Sequence, residues 1–103
     1  MPHVREKIES ILNSNPIVLF MKGSPDFPMC GFSARATAIL QELAVPFHTV
    51  NILEDEELRQ GIKEYGNWPT IPQLYVNKQL VGGSDIMMEM FETGELKELV
   101  HQK

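Results

Sequence analysis

Five consecutive apolar residues, Ile17-Val18-Leu19-Phe20-Met21, lie between Pro16 and Gly23. The run is too short for a helix and has no polar position to face water, so it reads as a β-strand covered on both faces. A strand of that kind needs a layer of other elements above the sheet and another below it. The chain has 103 residues, 43% of them hydrophobic, enough to bury one modest core without metal or disulfide staples. Residues 1–103 are therefore expected to form a single domain.

The neighbouring patterns supply the layers. Val4, Ile8, Ile11 and Leu12 recur at helical spacing, predicting a helix over residues 2–14 that opens at Pro2 and closes near 13–15. Residues 23–29, GSPDFPM, hold one glycine and two prolines and read as an irregular loop. Phe32, Ala36, Ile39, Leu40 and Leu43 then predict a second helix, ending before Val45-Pro46, with Cys30 at or beside its first turn. A strand is expected over 47–52. After it, Glu54-Asp55-Glu56-Glu57 supply acid to the start of a helix carrying Leu58, Ile62 and Tyr65 and stopped by Gly66. Residues 73–76 and 79–82, joined by Asn77-Lys78, read as a hairpin. A final helical stretch begins near Ser84-Asp85 and breaks at Gly94 before Leu96, Leu99 and Val100. A βαβ unit followed by a ββα unit gives an α/β fold, a four-stranded mixed sheet flanked by helices, which is the thioredoxin architecture.

A net charge of −5 works against attraction to nucleic acid or anionic lipid, so neither is expected as a partner. No apolar run approaches the roughly 20 residues that span a bilayer, and the first ten residues, MPHVREKIES, hold no apolar signal core. A cytoplasmic location is the expectation. One cysteine cannot form a disulfide within the chain, which fits a reducing compartment. By itself a lone cysteine reads first as a small buried hydrophobe. His3, His48 and His101 are dispersed without ligand-like spacing and read as surface or strand residues.

Chemistry enters where a cysteine meets a helix start. The thiolate is the reactive form, and unpaired N–H groups with the positive end of a helix dipole favour it. Lys22, at the end of the first strand, is expected to point toward the same region. Trp68-Pro69-Thr70-Ile71-Pro72 precedes the hairpin, and a cis bond at Ile71–Pro72 would leave the Ile71 backbone free to pair with an extended peptide. In Gly82-Gly83-Ser84-Asp85, backbone N–H groups suit a carboxylate and Asp85 suits an ammonium, with Ser84-Asp85 also reading as an ordinary helix cap.

Together, Lys22-Gly23, Cys30-Gly31-Phe32-Ser33, Trp68-Pro69-Thr70-Ile71-Pro72 and Gly82-Gly83-Ser84-Asp85 closely resemble the monothiol glutaredoxins of the CGFS type, over essentially the whole chain. The resemblance implies a groove for glutathione, with Lys22 and Arg59 at its glycine carboxylate, Ile71 at its backbone, and Ser84 with Asp85 at its γ-glutamyl end. It also implies a [2Fe–2S] cluster bridging a homodimer, ligated by Cys30 of each chain and one glutathione sulfur on each, since such clusters take four thiolates. The implied role is cluster storage and transfer to iron–sulfur acceptor proteins, with a BolA-like protein as a further partner.

As an enzyme, the chain would be at most a weak glutathione-dependent disulfide oxidoreductase, acting on protein–glutathione mixed disulfides through Cys30. Ser33 stands where a dithiol relative has its second cysteine, which closes the dithiol route. Many members have cysteine where Ser84 stands, so a switch relying on a disulfide there is expected to be absent. Phe32 is expected to pack in the core rather than shield a cluster, and Trp68 to pack or shape the groove mouth.

Overall fold

The structure, a computed structural model, describes residues 2–101. In chain order it contains α1 (Pro2–Ser14), β1 (Ile17–Met21), α2 (Gly31–Glu42) and β2 (His48–Asn51). After a 3₁₀ turn (Ile52–Glu54) come α3 (Glu56–Tyr65), β3 (Gln73–Val76), β4 (Gln79–Gly82), α4 (Ser84–Thr93) and α5 (Glu95–Val100). The sheet order is β2-β1-β3-β4. β1 runs parallel to β2, while β3 is antiparallel to both β1 and β4. This is the expected mixed sheet of the thioredoxin fold.

All five residues of β1 are buried, as its unbroken apolar pattern requires. Their side chains alternate between the two faces. Ile17, Leu19 and Met21 join Ala36, Ile39, Leu40, Leu74, Met87, Leu96 and Val100 in a core beneath α2, α4 and α5. Val18 and Phe20 join Val4, Ile8, Leu12, Leu58, Ile62 and Tyr75 in a second core beneath α1 and α3. α1 lies so close to α3 that a Cβ at Gly61 would clash with Cγ1 of Val4.

Turn chemistry fixes the ends. Asn77 and Lys78 both take positive φ, 50° and 70°, the paired left-handed conformation of a two-residue hairpin link. Asp55 caps α3 by accepting the Leu58 N–H, and its carboxylate also receives the Lys7 ammonium from α1. Gly94, at φ 87°, separates α4 from α5. No described helix is long and apolar enough to cross a membrane.

Three local expectations differ. The strand expected over 47–52 spans His48–Asn51, because the Asn51 side chain accepts the Leu53 N–H and turns the chain into the 3₁₀ turn. Ser84 is not the cap of α4: Gly83 occupies that position, and Ser84 is the first helical residue. Phe32 is not in the core but 58% exposed, because it stands in the first turn of α2, beyond the sheet that covers Ala36 and Leu40.

Candidate functional site

Cys30 is the N-cap of α2, with extended backbone, and its sulfur accepts the Ser33 N–H at 3.3 Å. A cap normally satisfies one of the orphan donors of the first turn with oxygen, and here sulfur does so. The Ser33 hydroxyl also lies 3.3 Å from the sulfur and accepts the Lys22 backbone N–H at 3.0 Å. Partial burial pushes the Cys30 thiol up. The Ser33 hydroxyl and N–H, the Phe32 N–H and the Lys22 charge together outweigh it, so the thiol is held below its ordinary value. Cys30 is half-buried, so the sulfur remains accessible.

The loop before Cys30 is ordered by its own backbone. Gly23 pairs with Pro28 as an isolated bridge, the Met29 N–H donates to the Lys22 carbonyl at 2.8 Å, and Ser24 and Phe27 exchange backbone hydrogen bonds. Gly23 is needed there: its φ is 92°, and a Cβ would meet the Phe27 carbonyl oxygen and the Met29 nitrogen within 2.7 Å. Asn51 Oδ1 accepts the Gly23 N–H at 3.0 Å and ties the loop base to the end of β2. Phe27, Met29 and Phe32 remain exposed around the cysteine.

A cavity of 410 Å³ opens beside Cys30, lined by Lys22, Phe32, Lys63, residues 68–72 and residues 83–86. The lining thus holds two ammonium groups, those of Lys22 and Lys63. It also holds the start of α4, where no side chain caps the first N–H groups, the exposed Asp85 carboxylate, and the Trp68-to-Pro72 segment. The Ile71–Pro72 bond is cis, and neither the N–H nor the C=O of Ile71 is hydrogen-bonded to another described residue. Its side chain is anchored in the core beneath α1 and α3. Trp68 lines the cavity, with its buried Nε1 facing Gly83 and without a partner among the described residues.

The structure therefore gathers Lys22, Ile71, Ser84 and Asp85 around one cavity; Cys30 is not in the lining, which reaches its chain neighbour Phe32 two residues on and Lys22, whose charge acts on its sulfur. Arg59 is not in that lining; its Nη1 lies 3.7 Å from Glu56 one turn back on α3, and its buried Nε has no hydrogen-bond partner among the described residues. Lys63, one turn further along the same helix, lines the cavity instead. That residue is legible only as the i+4 neighbour of Arg59, on the turn leading to Trp68. The three histidines are exposed, and no group of three or more His, Cys, Asp or Glu among the described residues is placed to hold a metal ion.

The sequence profile of the Glutaredoxin family matches residues 17–81. Monothiol glutaredoxin-S14, chloroplastic, of Arabidopsis thaliana is 56% identical over 101 residues, covering 98% of this chain and 58% of that protein. Monothiol glutaredoxin-5, mitochondrial, of Lachancea kluyveri is 54% identical over 99 residues, covering 93% of this chain and 69% of that protein. The solution structure of reduced poplar apo GrxS14 superposes with a TM-score of 0.85 at 50% identity, over 97% of this chain and 92% of that one. A buckwheat glutaredoxin–glutathione complex shares the fold, with a TM-score of 0.86 at 22% identity over 96% and 88% of the two chains. The chain belongs to the glutaredoxin family, among its monothiol members. It spans only 58% of the Arabidopsis relative's length.

Proposed function

We propose that the chain binds glutathione in the cavity beside Cys30 and, as a pair of protomers, stores and transfers a [2Fe–2S] cluster. The observation that supports this reading is the charge layout of the cavity. Glutathione carries a carboxylate at its glycine end and, at its γ-glutamyl end, a carboxylate and an ammonium. Lys22 and Lys63 suit the glycine carboxylate, with Arg59 a turn behind them. The free N–H groups at the start of α4, near Ser84, suit the second carboxylate, and Asp85 suits the ammonium. The open N–H and C=O of Ile71 suit the peptide between.

The cluster is cargo in this account, and the donor set fits it. The chain has one thiolate to offer, Cys30, so two protomers provide two and glutathione bound to each provides the rest. Exposed Phe27, Met29 and Phe32 give that thiolate an apolar border. Acceptor proteins and a BolA-like protein are the partners of such a carrier. Iron and acid-labile sulfide, measured after anaerobic reconstitution with and without glutathione, test the ligand scheme. Cluster loading is expected only with glutathione, and full loading without any small thiol would overturn it.

The depressed Cys30 thiol supports a second activity. Its thiolate attacks the glutathione sulfur of a mixed disulfide and expels the target thiolate; a second glutathione thiolate then attacks that sulfur, releasing glutathione disulfide and restoring the Cys30 thiolate. Ser33 cannot take the resolving role. Turnover of a glutathionylated substrate at the rate of a dithiol glutaredoxin would rank this activity above cluster transfer.

A further inference from the structure

Beneath the cavity, Gln73 is wholly buried at the start of β3, opposite Phe20 of β1. Its Nε2 donates to the Trp68 carbonyl at 3.0 Å and to the Thr70 carbonyl at 3.3 Å. Its Oε1 accepts the Tyr75 hydroxyl at 3.1 Å. Both amide N–H groups and the amide oxygen are therefore used inside the protein, a fully satisfied buried network.

The orientation of that amide is forced. Two carbonyls need donors, so the nitrogen faces the 68–72 segment and the oxygen faces Tyr75. Burial pushes the Tyr75 phenol up to about 12, so it stays protonated and donates at any ordinary pH. Gly66, at the end of α3, allows the close approach: a Cβ there would clash with the Tyr75 hydroxyl and lie 3.0 Å from Gln73 Oε1.

The segment that Gln73 grips has little else to fix its backbone. Pro69 and Pro72 have no N–H. Among the described residues, the one backbone–backbone bond made by residues 68–72 is from the Trp68 N–H to the Lys63 carbonyl, at 3.0 Å. We propose that Gln73 is a positioning residue for the glutathione site: its amide holds the Trp68 and Thr70 carbonyls so that the unpaired backbone of Ile71 faces the cavity at the right height. Gln73 is not in the cavity lining, and its side-chain hydrogen bonds go to Trp68, Thr70 and Tyr75, so it acts through the segment. This assignment rests on the glutathione reading above.

The test compares two disulfides that react with the same sulfur. Cys30 thiolate exchanges with glutathione disulfide, or with 2-hydroxyethyl disulfide, to form the mixed disulfide and release one thiolate. Only glutathione has a peptide backbone to align on Ile71. The ratio of the two equilibrium constants, read by mass spectrometry, therefore measures recognition apart from thiol reactivity. Gln73→Met is expected to lower the wild-type preference for glutathione by about tenfold, the worth of one to two hydrogen bonds. The pH profile of Cys30 alkylation should stay unchanged, which a general loosening of the site would not allow.

Gln73→Glu guards against a variant that fails to fold. Burial at this position favours the neutral acid. While protonated, the variant's carboxyl keeps one donor and the Tyr75 contact, so its preference should be intermediate at mildly acidic pH and fall as pH rises and the acid ionises, while the wild-type ratio stays flat. A wild-type preference retained in full by both variants overturns the role of Gln73 alone. No wild-type preference for glutathione overturns the glutathione reading, and the role with it.

Discussion

The Ser33 hydroxyl lies 3.3 Å from the Cys30 sulfur while accepting the Lys22 backbone N–H at 3.0 Å. With that lone pair engaged, the hydroxyl proton is the part left to meet a thiolate. As a thiol, Cys30 donates to Ser33; once deprotonated, it accepts. Ser33 thus favours the charged form of Cys30 against the burial that opposes it.

Ser33→Ala should raise the Cys30 thiol toward its ordinary value, because burial still opposes the charge and the strongest opposing hydrogen bond is gone. The rate of iodoacetamide alkylation against pH should shift to higher pH. Since the folded-state thiol is depressed, its contribution to stability appears as pH rises through the folded value and is lost below it. Losing the partner of the Lys22 N–H should also cost about 1–2 kcal/mol at every pH. An unchanged alkylation profile would remove Ser33 from this role.

Lys63→Gln should weaken glutathione binding by about tenfold, in line with one charge-assisted hydrogen bond of roughly 1.5 kcal/mol. Arg59→Gln should cost less, since that side chain faces Glu56 rather than the cavity. Titration calorimetry at low and high salt reads both. A larger loss at Arg59 would return that residue to the ligand's first contact and displace Lys63.

Gly61→Ala should destabilise the domain by about 1–3 kcal/mol through overpacking of α1 on α3. Val4→Ala in the same chain should recover part of that loss, because the clash is with a Val4 methyl. Urea unfolding of the two single variants and the double variant measures the coupling.

The Lys7 ammonium and the Leu58 N–H hold the Asp55 carboxyl below the usual carboxylate range. A carboxyl depressed in the folded state stabilises above its unfolded value, and that contribution is lost as pH falls through its folded one. Asp55→Asn keeps an oxygen for the cap but not the charge. Its thermal stability should fall less steeply on acidification than that of the wild type; parallel acid limbs would contradict this.

Most of the architecture is legible in the sequence because its signals are periodic. The IVLFM run must be covered twice, and it is; Asn77-Lys78 allows a two-residue link, and both residues adopt it. What periodicity does not show is where a helix outruns the sheet. Phe32 follows the same spacing as Ala36 and Leu40, yet the first turn of α2 projects beyond the core. Side-chain reach is similarly hidden, so Arg59 and Lys63 differ only in which turn of α3 meets the cavity. Gln73 gives no sequence signal, since a polar residue at a strand start ordinarily faces water; its burial follows from the carbonyls that a proline-bound segment leaves unpaired.

Anaerobic reconstitution of wild-type and Cys30→Ser protein with iron, sulfide and glutathione, followed by size exclusion with visible absorbance, tests the account most directly. The wild type should elute as a coloured dimer and return to a colourless monomer when the cluster is removed, and Cys30→Ser should stay colourless and monomeric. A coloured Cys30→Ser dimer, or a wild type that stays colourless, would contradict the cluster carrier proposed above.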